Sequence, residues 1–212
     1  MKQDTHFVSM KFPANFDIEE QLWNSGARFV AGVDEVGRGS WAGPVVAAAV
    51  VFPPFFKPPW QLYDSKALTV KERETLSTEI QKVASIGIGE IAVPVINRLG
   101  IGKASQQAFR LAIRNLKLTP DFYLIDAFYI RHFKKDKQLP IKKGDQIVAT
   151  IAAASIVAKV FRDHLMVGLD KKYPKFGFAL HKGYGTKLHQ EALREHHLSV
   201  AHRKSFNLTA FL

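Results

Sequence analysis

Cysteine is absent from the 212 residues of this chain. Its absence excludes disulfide bonds, thiolate metal sites and a cysteine nucleophile, and it is compatible with a reducing compartment. Long apolar segments are also absent. The longest, residues 41–52, is shorter than the roughly 18 residues that a membrane span needs, and it contains glycine and proline. Residues 1–20 are too polar for a signal peptide. We therefore expect a soluble, cytoplasmic protein that does not enter a membrane.

Acidic residues are scarce relative to basic ones, with 19 Asp and Glu against 30 Lys and Arg and a net charge of +11. Residues 1–130 carry 14 basic and 13 acidic side chains, whereas residues 131–212 carry 16 and 6. A basic excess concentrated in one part of a chain favours a polyanionic partner, and nucleic acid is the leading candidate. A basic surface that only keeps the protein in solution is the alternative.

Apolar patterning predicts an α/β fold with a mixed central sheet flanked by helices. The predicted strands cover residues 29–36, 45–52, 85–93 and 122–125, with an edge strand near Leu139, and the predicted helices cover residues 16–23, 70–84, 103–116, 146–167 and 187–196. The first two strands are too close in sequence for a parallel crossover, so they should pair antiparallel. The later alternation of strands and helices favours parallel strands. We expect one main domain over residues 1–170 and a small, basic, helical extension over residues 171–212.

Four acidic residues stand at the ends of predicted elements. Asp34 and Glu35 end the first strand, where an unpaired carboxylate is costly to bury, so an acidic turn is the simpler alternative. Asp126 ends another strand and is also explained as a turn former. Asp145 precedes a helix and is also explained as an N-cap. Strand ends cluster at one edge of such a sheet, and carboxylates gathered there would suit Mg²⁺ or Mn²⁺. Paired ions of this kind promote phosphodiester cleavage.

Short motifs surround these acids, beginning with DEVGRG at residues 34–39 and AGPVVAAAV at residues 42–50. These blocks resemble the opening signature of the ribonuclease HII family. Further blocks follow in family order: DSK at 64–66, LID at 124–126, KGD at 143–145, IAAASIVAKV at 151–160, RD at 162–163, LM at 165–166, HKGYGT at 181–186 and HR at 202–203. A lone DEVG would be weak evidence, but the ordered set covers about residues 30 to 206 and is specific.

The resemblance implies an RNase H-like fold and a metal-dependent endonuclease that cleaves RNA in RNA–DNA hybrids. It also implies cleavage 5′ of single ribonucleotides embedded in duplex DNA, leaving a 3′ hydroxyl and a 5′ phosphate, which initiates ribonucleotide excision repair. The family's catalytic and metal-binding carboxylates fall on Asp34, Glu35, Asp126 and Asp145. Asp163 matches a family position inside a helix, and we expect it to be structural.

The resemblance also assigns substrate contacts. Residues 37–39, Gly-Arg-Gly, would let the backbone approach the ribose 2′-hydroxyl, which distinguishes RNA from DNA. The alternative, a tight turn, leaves Arg38 unexplained. Tyr184 would pack against the sugar at the junction between ribonucleotide and deoxyribonucleotide, although without the resemblance it is an ordinary loop aromatic. Lys66 and Lys182 would contact phosphates, which position a duplex without identifying its sequence.

Departures from the family pattern leave alternatives open. Residues 40–41 are Ser-Trp where Pro-Leu is usual, and Ala127 stands where glycine is usual. The related ribonuclease HIII, which cuts longer RNA tracts, carries an extra N-terminal domain, for which the 33 residues before Asp34 are too few. A hybrid-binding module without activity is disfavoured by the intact acids. We expect a monomer, whose residues 205–212 faintly resemble a sliding-clamp peptide but lack its usual glutamine.

Overall fold

The computed structural model describes residues 13–212. Residues 1–12, part of the N-terminal stretch that is too polar for a signal peptide, lie outside the described residues. In order, the described chain forms α1 (Asp17–Asn24), β1 (Val30–Val36), β2 (Val45–Val51), α2 (Val70–Val83), β3 (Ser85–Ile91), α3 (Val93–Leu99), α4 (Ile101–Arg114), β4 (Phe122–Asp126), β5 (Gln138–Ile141), α5 (Ala149–Lys172), α6 (Phe178–His181) and α7 (Lys187–His196). None of the helices in this part of the chain is long and apolar enough to cross a membrane.

The five strands form one mixed sheet in the order β3-β2-β1-β4-β5. As predicted, β1 and β2 pair antiparallel. On its other side β1 pairs parallel with β4, which the sequence did not predict. The prediction of parallel strands is wrong for β2 and β3, which pair antiparallel. Val51, the last residue of β2, pairs with Ser85, the first residue of β3. The segment between them, which contains α2, therefore leaves and re-enters the sheet at the same end of the strands and does not cross over the sheet. The prediction is correct for β3 and β4, which run in the same direction but are not neighbours.

Helices cover both faces of the sheet, and every residue of β2 is buried. On one face α4 packs on side chains such as Val33, and on the other α5 and α2 pack on side chains such as Ala48. Residues 152–155, near the N-terminal end of α5, are small and buried, as expected for close packing against the sheet. A Cβ on Gly32 would lie 2.1 Å from the carbonyl carbon of Thr150, so α5 contacts β1 backbone to backbone.

The helix boundaries agree with the sequence where a local signal exists. Thr69 and Glu72 form the expected capping box at the start of α2, and α7 has the predicted bounds. Two predictions are wrong. Pro94 does not end a strand but lies in the first turn of α3, where proline is well tolerated. The fifth helix begins at Ala149 instead of residue 146, because residues 144–146 form a separate 3₁₀ turn.

Candidate active site

Three of the four singled-out carboxylates lie at the adjoining ends of β1 and β4. The first strand contains Asp34 and Glu35 and ends one residue later, at Val36. The fourth strand ends at Asp126, and its register places Ile125 opposite Val33, so Asp126 follows beside Asp34. Neighbouring residues of a strand point to opposite faces. Asp126 nevertheless interacts electrostatically with both acids of β1.

The proximity of these carboxylates changes their protonation. Burial, followed by the charges of Glu35 and Asp126, holds the pKa of Asp34 well above its usual value. Burial also raises the pKa of Glu35, although the nearby Arg38 guanidinium partly offsets the effect. Burial raises the pKa of Asp126, and a hydrogen bond of 2.8 Å from the Gly144 backbone N–H opposes that rise. Three acids that all resist ionisation would be stabilised by a cation.

Asp145 lies in the buried 3₁₀ turn that precedes α5, and it does not cap that helix as the alternative interpretation proposed. Its carboxylate Oδ2 lies 3.3 Å from the Lys66 ammonium, which is also 3.7 Å from Asp64 Oδ1. Burial lowers the pKa of Lys66, but the two carboxylates outweigh that effect and the pKa is raised. The Lys66 side chain is 76% exposed, so it reaches the acidic cluster from solvent. The structure thus places Lys66 beside Asp145 and Asp64, and its predicted phosphate contact stays a prediction.

The carboxylates form hydrogen bonds and an ion pair within the protein. Among residues 13–212, no three acidic or histidine side chains form a ready-made metal-binding group. Asp34 and Asp126 each accept a backbone N–H, and Asp145 pairs with Lys66. One oxygen differs: Glu35 Oε2 is buried and has no hydrogen-bond partner in this part of the chain. An unsatisfied carboxylate oxygen next to acids of raised pKa fits a hard divalent cation.

The loop of residues 37–44 follows the carboxylates directly. Gly37 has a φ of 84°, and a Cβ there would lie 2.1 Å from Arg162 Nε, so packing alone accounts for its glycine. A Cβ on Gly39 would meet nothing within 4 Å. The backbone N–H groups of Arg38 and Gly39 donate no hydrogen bond within residues 13–212. The tight-turn alternative therefore explains Gly37 but not Gly39, whose open backbone is available to a ligand.

Two buried arginines fix this loop, and neither was predicted to have a role. Arg162 on α5 donates to the carbonyl oxygens of Pro44 (2.9 Å) and Ala42 (3.2 Å). Arg203 donates to the carbonyl oxygen of Arg38 at 3.0 Å. Burial, followed by the charge of Arg162, lowers the pKa of Arg203 to about 9. The RD and HR motifs were visible in the sequence, but nothing local shows that these side chains are buried.

Tyr184 lies on a segment that packs against the same loop. The Arg162 guanidinium carbon is 5.6 Å from the centroid of the Tyr184 ring. The neighbouring carbonyl oxygen of Gly183 accepts a 2.8 Å hydrogen bond from the Trp41 backbone N–H. Lys182 turns its ammonium back onto the carbonyl oxygen of Ala179. Its predicted phosphate contact would require the ammonium to leave that carbonyl.

A directional chain of hydrogen bonds holds the carbonyl group of Tyr184. The Ser199 backbone N–H donates to His202 Nδ1 (3.0 Å), so the proton of this neutral ring is on Nε2. That proton points to His189 Nε2, 3.0 Å away, which leaves His189 Nδ1 to donate to the Tyr184 carbonyl oxygen at 3.0 Å. Burial lowers the pKa of each histidine to about 4, which keeps both rings neutral. The spacing of the histidines in the sequence does not indicate this contact.

Asp163, the further acidic residue that matches a family position, lies on α5. Its Oδ1 pairs with Lys159 Nζ at 2.7 Å, one helical turn away. That pairing agrees with the structural role expected from the sequence.

Solved structures with the same fold define the class of protein. The ribonuclease H2 from Pyrococcus horikoshii superimposes with a TM-score of 0.69 at 24% identity, over 84% of this chain and 94% of that one. RNase HII in the PCNA:RNase HII complex from Archaeoglobus fulgidus gives 0.65 at 22%, over 85% and 96%. Bst-RNase HIII in complex with Mn²⁺ gives 0.67 at 18%, over 88% and 69%. The fold is therefore that of the ribonuclease H enzymes, as the sequence resemblance implied.

Sequence relatives identify the family. The ribonuclease HII of Herpetosiphon aurantiacus is 46% identical over 205 residues, covering 92% of this chain and 96% of that protein. The ribonuclease HII of Chloroherpeton thalassium is 48% identical over 198 residues, covering 90% and 95%. The sequence model of the ribonuclease HII family matches residues 31–209. The chain belongs to the ribonuclease HII family and is a ribonuclease H-type hydrolase that cleaves RNA in RNA–DNA hybrids.

Proposed function

We propose that this ribonuclease is a metal-dependent endonuclease that also cuts 5′ of single ribonucleotides embedded in duplex DNA. Its products carry a 3′ hydroxyl and a 5′ phosphate, and the cut initiates ribonucleotide excision repair in the cytoplasm. One observation carries the proposal. Buried Asp34 and half-buried Glu35 and Asp126 form a cluster of carboxyls with raised pKa, just before a loop whose backbone at Gly39 is open.

The proposed catalytic and metal-binding residues are Asp34, Glu35, Asp126 and Asp145. Bound Mg²⁺ or Mn²⁺ would supply an activated water and would neutralise charge on the departing 3′ oxygen. The unsatisfied Glu35 Oε2 and the raised pKa of its neighbours support this assignment. Bst-RNase HIII, which shares the fold, has been solved in complex with Mn²⁺. Lys66 neutralises part of the cluster and presents an ammonium to an incoming phosphate.

Selection for a ribonucleotide is assigned to the loop at residues 37–39 and to Tyr184. The free N–H groups of Arg38 and Gly39 are suited to oxygen acceptors such as the ribose 2′-hydroxyl. Two guanidinium groups bond the loop carbonyls, and two histidines fix the Tyr184 carbonyl. Both substrate-contacting segments are therefore held before substrate arrives, which lowers the cost of ordering them on binding.

A sliding-clamp partner remains a secondary hypothesis. The Archaeoglobus fulgidus structure is a complex with PCNA, which raises the same question for this chain. Here the C-terminal tail is engaged internally, because Leu208 is 3% exposed and the Phe211 ring lies 4.8 Å from Trp41. A sliding clamp would have to displace these contacts to bind the tail. We therefore propose a monomer that acts without a clamp.

The test uses three labelled duplexes, each incubated with Mg²⁺ or Mn²⁺: one with a single ribonucleotide, one with an RNA strand on DNA, and one of DNA alone. We expect cleavage 5′ of the single ribonucleotide, cleavage within the RNA strand and none of the DNA. Ligation of the fragments verifies the 3′ hydroxyl and 5′ phosphate. Cleavage restricted to the long RNA tract would favour ribonuclease HIII activity. Binding without cleavage would identify an inactive hybrid-binding module.

A further inference from the structure

A basic groove lies beside the carboxylates and along one side of α4. Its lining includes the side chains of Arg38, Lys103, Ser105, Arg110, Phe128 and Arg131. We call it the α4 groove. Four of these side chains are cationic, and no acidic residue lines the groove within the described chain. Arg38 belongs both to the groove and to the loop that carries Gly39, so the groove adjoins the proposed ribose-contacting segment.

The N-terminus of α4 opens into this groove. The helix is 14 residues long, its N-cap is Gly100, and neither a capping side chain nor an acidic residue stands in its first turn. Gly102, in that turn, lines the groove, and a Cβ there would meet nothing within 4 Å. Uncapped N–H groups and the positive end of a helix dipole favour an anion.

Ser105 provides an independent indication of a ligand. Its residue is 3% exposed, it lines the groove, and its Oγ has no hydrogen-bond partner among residues 13–212. An unpaired buried hydroxyl is destabilising, so such groups usually have a partner. The Oγ atom itself is covered, so the Ser105 side chain would have to rotate toward the groove to donate to a phosphate oxygen that faces Lys103 and Arg110.

The opposite wall of the groove is held in place by Gln106. Its Oε1 accepts the Arg131 backbone N–H at 2.8 Å, and its Nε2 donates to the Tyr129 carbonyl oxygen at 2.9 Å. These bonds fix the segment that carries Phe128, whose ring lies 4.6 Å below the Arg38 guanidinium. The wall is therefore ordered in the absence of ligand, as a binding site for a backbone phosphate requires.

We propose that the α4 groove binds a phosphodiester group of the duplex backbone at a position other than the scissile phosphate. Ser105 and the first turn of α4 donate hydrogen bonds to it, and Lys103 and Arg110 supply the charge. The identity of the ligand as a nucleic-acid duplex rests on the proposed function. A phosphate held there would set the distance between the duplex and the carboxylates without selecting any base sequence.

The test measures binding of wild type and variants to a fluorescein-labelled all-DNA duplex in EDTA, by anisotropy over a series of salt concentrations. Lys103→Gln and Arg110→Gln should each make the plot of log association constant against log salt concentration less steep by about 0.9, the contribution of one phosphate contact. This change corresponds to about fivefold weaker binding at 0.15 M salt. Ser105→Ala should weaken binding without lowering the melting temperature, because it removes an unpaired hydroxyl. Arg114→Gln is the matched control, since Arg114 is exposed on the same helix outside the groove.

The proposal would be overturned if all three groove variants bound DNA with the same affinity and salt dependence as the Arg114→Gln control. It would also be overturned if the wild-type protein did not bind DNA. The outcome is separable from the proposed function, because an all-DNA duplex without metal reports binding alone. If wild type binds DNA and the groove variants bind less, the groove is supported even where the ribonucleotide duplex is not cut. If that duplex is cut but the groove variants bind like the control, only the groove is refuted.

Discussion

The buried pair His189 and His202 makes the stability of this protein depend on pH. Each histidine is fully buried, and burial lowers each pKa from its ordinary 6.5 to about 4. The unfolded chain therefore binds more protons than the folded one between pH 6.5 and 4. The stabilisation from these neutral rings is complete above pH 6.5 and is lost as the pH falls toward 4.

The size of the effect follows from the displaced pKa. One histidine whose pKa is lowered from 6.5 to about 4 makes the free energy of unfolding about 2 kcal/mol smaller at pH 5 than at pH 7. The Nε2 atoms of the pair are 3.0 Å apart, so a proton on both would place two N–H groups against each other. The carboxyls act in the opposite direction. Burial raises the pKa values of Asp34 and Glu35, so their protonation favours the folded state as pH falls.

A variant isolates the histidine contribution from that of the carboxyls. His202→Gln keeps a donor near the position of Nε2 but does not titrate. Urea unfolding at pH 7, 6 and 5, followed by tryptophan fluorescence, should show wild type losing about 2 kcal/mol more than this variant between pH 7 and 5. His164→Gln is the control, because the side chain of His164 is 66% exposed on α5. Equal losses in wild type and His202→Gln would refute the reasoning.

Three further predictions concern the site and the core. Asp126→Asn should lower turnover by on the order of 100-fold or more while the melting temperature is kept, and full activity would exclude Asp126 as a ligand. Tyr184→Ala should reduce cleavage at a single ribonucleotide more than it reduces binding to plain duplex, whereas equal losses would point to a merely structural tyrosine. Gly32→Ala would force a Cβ to 2.1 Å from the Thr150 backbone, so urea unfolding should show a loss of roughly 1–3 kcal/mol or more; wild-type stability would contradict this close contact.

The sequence predicts those parts of the fold that depend on local patterns. A strand buried on both faces has a continuous apolar sequence, as in β2, and a capping box marks the start of α2. The failures arise where one residue type serves two structures. Pro94 is compatible with the end of a strand and with the first turn of α3, and only tertiary packing decides between them. The acids of the site were identifiable because strand ends meet at one edge of the sheet, and Asp34 and Asp126 do so.

The supporting contacts of the site were not predictable, because they join distant parts of the chain. Arg162 bonds the carbonyl of Pro44 across 118 residues, and Arg203 bonds that of Arg38 across 165. Their acceptors are backbone oxygens, which every residue offers, so no side-chain pattern records the pairing. The contact between His189 and His202 was not predictable for a similar reason. The two rings meet because both are buried, and their spacing in the sequence does not indicate this.

The placement of these contacts supports the extension at residues 171–212 as a part of the substrate site. In the proposed function the loop approaches ribose through Gly39, where a large side chain would block the contact, so contacts from other segments have to order it. Arg203 supplies part of that order from the C-terminal segment, and the histidine pair in the same segment holds the Tyr184 carbonyl. The three hydrophobic clusters that include sheet residues contain no residue beyond position 166 among the described ones. The extension therefore contributes little to the core of the sheet. Its buried Arg203 fixes carbonyl groups of the loop, while the backbone N–H groups of Arg38 and Gly39 donate no hydrogen bond among the described residues.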